Sequence, residues 1–119
     1  MHRLSFFTLS ILLSMTTHAQ ATFLYEITLF DQFKHRTMWS EREQQIQKAH
    51  LAYLDSLTQA GRLEIAGIVD QGLEEQTGLI ILTTSSYEEA QRIVQEDPSV
   101  KAGMMSARLR PIQVYFRKE

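Results

Sequence analysis

The 119-residue sequence has no cysteine. That absence excludes disulfides, thiolate metal sites, a cysteine nucleophile and a lipidated N-terminal cysteine, so the fold must stand on packing alone. A positive surplus is missing as well: 12 Lys and Arg face 14 Asp and Glu, for a net charge of -2. The longest basic cluster is Lys34-His35-Arg36, which is far short of the footprint a nucleic-acid binder needs, so DNA and RNA are excluded as main partners. There is no glycine-rich phosphate loop and no serine elbow. The histidines include no pair at helical i, i+4 spacing, and His35 and His50 fall on different elements, so neither a metal nor another cofactor is expected.

What is present begins with an export signal. His2 and Arg3 give a weakly positive start, Leu4 to Met15 is an apolar stretch, and Thr17-His18-Ala19-Gln20-Ala21 supplies small residues for cleavage. The stretch is well below the roughly 20 residues that span a bilayer. Residues 1–21 therefore read as a signal peptide and 22–119 as one domain, released without a membrane anchor into the periplasm or the medium. With 44% apolar residues, that domain has enough material for a single core.

Thr22 to Phe30 reads as a strand with Phe23, Tyr25, Ile27 and Leu29 on one face. After a polar loop, Ser40 with Glu43 forms a capping-box signature for a helix that runs to Ala60 and stops at Gly61. Its apolar stripe is Ile46, Ala49, Tyr53, Leu54, Leu57 and Ala60, and His50 lies within it. Arg62 to Val69 and Leu79 to Thr84 read as strands. Ser86 with Glu89 repeats the capping box for a shorter helix that buries Tyr87, Ala90, Ile93 and Val94 and ends at Asp97-Pro98. A closing strand falls within Ser106 to Phe116, where the alternation slips at Arg110-Pro111, as at a bulge or an edge position.

The order βαββαβ implies an α+β ferredoxin-like fold, a four-stranded antiparallel sheet with both helices on one face. The strand Leu79-Ile80-Ile81-Leu82 is apolar on both sides, whereas a sheet with one wet face alternates. A second copy packed against the other face, giving a homodimer, is the expected cover.

His50-Leu51-Ala52-Tyr53-Leu54, Gly61-Arg62-Leu63, Ala66-Gly67, Gly78, Ser86 to Ala90, and Asp97-Pro98 through Gly103 stand in an order and spacing that resemble the YCII-related family. The resemblance implies a dimeric α/β barrel of ferredoxin-like protomers with an active site built on a histidine and an aspartate, which are His50 and Asp97 here. Two positions depart from the pattern: Ile68, where the family often has proline, and Ser99, where an aromatic residue often follows Asp-Pro. Relatives of this kind include dehydrochlorinase-type enzymes acting on chlorinated hydroxyquinols, and related barrels include isomerases and haem-degrading enzymes.

His50 on an apolar stripe reads either as a general acid/base or as a core histidine satisfied by a backbone carbonyl. Asp97 reads either as its orienting carboxylate or as a turn residue bonding nearby amides. Asp31, His35 and Arg36 sit on a loop near the expected cleft, and Arg108 and Arg110 on the last strand serve either a substrate carboxylate or edge protection. The leading reading is acid/base chemistry by His50 and Asp97 on a small cyclic or carboxylated molecule. A non-catalytic dimeric binding module and a haem-handling barrel with His50 as axial ligand are the alternatives. The export signal carries a direct prediction: intact-mass analysis of protein from periplasm or medium will show a chain starting at Gln20 or Thr22, and recovery of the full chain from the cytosol contradicts it.

Overall fold

The computed structural model of the protein describes residues 20–72 and 75–119. Apart from Gln20 and Ala21, the expected signal peptide at 1–21 lies outside the described residues. Within them, β1 (Ala21–Leu29), α1 (Glu41–Gln59), β2 (Leu63–Val69), β3 (Thr77–Thr84), α2 (Tyr87–Glu96), α3 (Pro98–Lys101) and β4 (Met105–Ile112) follow one another, with two 3-10 turns between β1 and α1. The strands form one antiparallel sheet in the order β2-β3-β1-β4. This is the ferredoxin-like arrangement that the element order implied.

Period-two alternation decides which face of the sheet is dry. Phe23, Tyr25 and Ile27 of β1, with Ile80 and Leu82 of β3, are buried with Leu57 of α1 and Ala90 and Ile93 of α2 in one core. The helices therefore cover one face. On the other face Leu24, Leu79 and Ile81 are only half-buried, and Ile65 is 67% exposed.

α1 opens with the expected capping box, in which the Ser40 amide donates to Glu43 Oε1 at 2.9 Å and the Ser40 side chain caps the third helical amide. It closes at Gly61, whose φ of +77° is a conformation that side chains with a Cβ resist. The second box is only half formed. Ser86 Oγ accepts from the Glu89 amide at 3.1 Å, but the Glu89 carboxylate takes the Ser85 amide instead and pairs with Arg62. The amide one residue earlier takes the oxygen of the reciprocal bond, and Arg62, just before β2, pairs with the other.

Two expectations about packing are corrected, and at Pro111 the edge alternative holds over the bulge. Ala49 and Ala60 face solvent, because the stripe is carried by the larger side chains at 46, 50, 53, 54 and 57 and a methyl group makes little demand for burial. Tyr87 is 45% exposed and leans its ring on Phe23, centroids 5.9 Å apart. The alternation break at Pro111 is no bulge, since β4 pairs with β1 without a slip from Met105 to Ile112. β4 is an edge strand, where a missing N–H is tolerated, and Val114 and Phe116 lie beyond its end. The register shift falls in β2, between Leu63 and Ile65.

Candidate active site

The site grows from the Asp97-Pro98 junction. Proline disfavours the helical region for the residue before it, and Asp97 is extended at φ -63°, ψ 124°, which ends α2. Pro98 then occupies the first turn of α3, where no amide donor is needed, and Asp97 caps that helix by accepting from the Ser99 amide at 2.9 Å. The turn role foreseen for Asp97 is real. It occupies only part of the carboxylate.

The rest of that carboxylate faces α1 and β1. His50 Nδ1 lies 2.8 Å from Asp97 Oδ1 and 2.9 Å from Oδ2. The Tyr25 hydroxyl donates to Oδ2 at 2.7 Å, and Ser99 Oγ donates to Oδ1 at 2.8 Å. All four residues are buried, Tyr25, Asp97 and Ser99 completely. Burial alone would raise the carboxyl pKa, but the bonds from His50 and Tyr25, the nearby imidazole and the Ser99 amide outweigh it and hold Asp97 below the usual carboxylate range. Burial, followed by the Asp97 charge and hydrogen bond, pushes the Tyr25 phenol far above its ordinary value, so it remains a donor.

These protonation states fix the tautomer of the neutral histidine. An ionised carboxylate only accepts, and the Ser99 hydroxyl already gives its proton to Oδ1, so the proton between His50 and Asp97 belongs to Nδ1. The lone pair of the neutral imidazole is then on Nε2. His50 also lines a cavity of about 360 Å³ between α1 and the ends of β1, β2 and β3, towards the lower end for small-molecule sites. Its floor includes Ile27 and Gly78, which pair across β1 and β3. A Cβ at residue 78 would come within 2.8 Å of Ile27 Cγ1, so glycine permits the approach.

Of the loop residues considered from sequence, Arg36 lines the cavity and lies over the Trp39 ring at 4.8 Å, whereas Asp31 pairs with Lys34 at 3.2 Å. His35 does not line it. Arg110 pairs with Glu26 across the edge of the sheet, and neither it nor Arg108 lines the cavity. Tyr25, Ser99, Lys34 and Gln47 were not foreseen as site residues. A phenol inside an apolar strand stripe needs a polar partner, and that was the available signal for Tyr25. Among the described residues, no three His, Asp or Glu side chains are grouped as a metal site.

A model of the YCII-related domain matches residues 24–112. The chain belongs to the YCII-related family. Among solved structures it is similar to the 5-chloro-2-hydroxyhydroquinone dehydrochlorinase TftG of Burkholderia phenoliruptrix, determined in complex with 2,5-dihydroxybenzoquinone. The TM-score is 0.59 at 19% identity, over 77% of this chain and 93% of that one, a likeness of fold. No curated protein matches the sequence.

In this YCII-related domain the carboxylate network sets stability as well as geometry. Asp97→Asn removes the charge and one acceptor while leaving its donors buried, and is expected to cost about 3 kcal/mol in urea unfolding. Because the folded pKa of Asp97 is depressed, its contribution is complete above the unfolded value of about 3.9 and is lost as pH falls through the lower folded value. Urea midpoints of the parent should fall across that acid window, with a smaller slope in Asp97→Asn. Equal stability of the two proteins at neutral pH contradicts the assignment.

Proposed function

We propose that the protein is an exported enzyme in which His50 serves as general acid/base on a small molecule held in the cavity, with Asp97 orienting the ring. One observation carries this reading: the Nδ1 side of His50 is bonded to a buried carboxylate while the same residue lines the cavity. A base works when its lone pair faces the reacting proton and its other nitrogen is held, so that the imidazolium formed in the reaction is stabilised. The dehydrochlorinase activity of TftG supports the reading by analogy, since loss of hydrogen chloride requires a group to take up a proton.

The same reading includes a homodimer. The outer sheet face presents Leu24, Leu79, Ile81 and Ile65, and two such faces packed together would bury over ~1,000 Å², the scale of a specific interface. Light scattering at micromolar concentration should give twice the protomer mass; a stable monomer contradicts the pairing.

Catalysis is tested by deuterium exchange. Hydroxyquinones and related carbon acids incubated with the protein in heavy water should gain deuterium at carbon, at a rate reduced about 100-fold or more in His50→Ala. A compound that binds in the cavity but exchanges equally with both proteins would make the domain a binding module instead.

A further inference from the structure

Resting on that reading of the cavity, we propose that Gln47 and Arg36 determine what enters it, and that the ligand is a small organic acid that also carries a hydroxyl. The first observation is an unmet acceptor. The side-chain oxygen of Gln47 is buried without a hydrogen-bond partner, and Gln47 lines the cavity. A buried amide carbonyl is rarely left unsatisfied, and a donor on the ligand is the partner that would satisfy this one. Gln47 precedes His50 by three residues on α1, so the two side chains are neighbours on one helix face. A hydroxyl that donates to Gln47 is thereby set within a turn of the His50 ring.

The second observation is charge. Lys34 and Arg36 line the cavity from the loop after β1, and no acidic side chain lines it among the described residues. Lys34 shares its charge with Asp31 and Glu75, at 3.2 and 3.5 Å. Arg36 lies over Trp39, which steadies the guanidinium plane without neutralising it. Among the described residues no carboxylate pairs with it. Arg36 is exposed and open to a ligand's anionic oxygen, which a guanidinium binds with two donors. The apolar lining from Ile27, Leu54, Ile68 and Ile80 suits the carbon skeleton between the two polar ends.

Calorimetric titration with three probes tests this: gentisate and 4-hydroxybenzoate, carboxylates that each keep a hydroxyl donor at neutral pH, and neutral hydroquinone as the uncharged control. The acids should bind the parent at neutral pH at least tenfold more tightly than hydroquinone. Arg36→Gln should erase that preference, Gln47→Leu should weaken the acids about tenfold, the worth of one hydrogen bond to a charged or polar partner, and Gln47→Glu should exclude them by like charge. Binding of the acids unchanged in Arg36→Gln and Gln47→Leu, hydroquinone binding as tightly as the acids, or no binding of either acid to the parent overturns the inference. Failure here is separable from failure of the His50 assignment. Acid binding that survives both substitutions while deuterium exchange still depends on His50 sinks the selectivity and leaves the base. The reverse pattern leaves the selectivity and sinks the base.

Discussion

A single buried carboxylate organises this protein. Asp97 is fully buried, and an ionised group in that position is costly unless every acceptor direction is met. Its donors come from separate parts of the chain: Tyr25 from the central strand β1, His50 from the third turn of α1, and the Ser99 amide and hydroxyl from α3. Satisfying the charge thus requires the sheet, the long helix and the turn between the two short helices to meet at one point. Hydrophobic packing of the core brings these elements together without choosing their register to a fraction of an ångström; the carboxylate does.

The same bonds divide the labour between the two nitrogens of His50. Nδ1 is committed inward, so the orientation of the ring is provided by the fold before any ligand arrives. Tyr53 adds rigidity from the same helix, its hydroxyl donating to the Ile93 carbonyl at 2.8 Å near the end of α2. Burial, with the charges of Glu96 and Asp97, raises that phenol to about 12, which keeps it a donor throughout the neutral range. α1 is thus tied to α2 by Tyr53 and to the Asp97 turn by His50.

Much of this was legible in the sequence, for reasons that can be located. Alternation in β1, the capping box at Ser40 and Glu43, and the Asp97-Pro98 break each reflect local backbone chemistry, and the element limits they mark fall within a residue or two of expectation. The pairing of His50 with Asp97 came from a family resemblance, because 47 residues of chain separate them and no local rule connects them. Tyr25 and Ser99 escaped notice because their task is to satisfy a partner that only the folded chain supplies. Ser99 stands where the family often carries an aromatic residue, and the departure now has a role: its hydroxyl adds a bond to Asp97. The error over Ala49 and Ala60 has the opposite origin, since periodicity counts an alanine as core whether or not the neighbouring surface reaches it. At Glu89 the reciprocal bond of the local signature moved to the Ser85 amide, while Arg62 pairs with the other carboxylate oxygen.

The proposed acid/base role depends on which nitrogen of His50 carries the proton. Long-range nitrogen–proton NMR on the parent and on Asp97→Asn reads this directly, under conditions where the imidazole is neutral. The parent should show Nδ1 protonated and Nε2 bare. In Asp97→Asn the side chain still accepts through its one oxygen but presents an amide donor in place of the second, and the tautomer should move toward Nε2–H. A parent whose neutral ring carries its proton on Nε2, or a ring indifferent to the substitution, would contradict the claim that Asp97 holds His50 ready for catalysis.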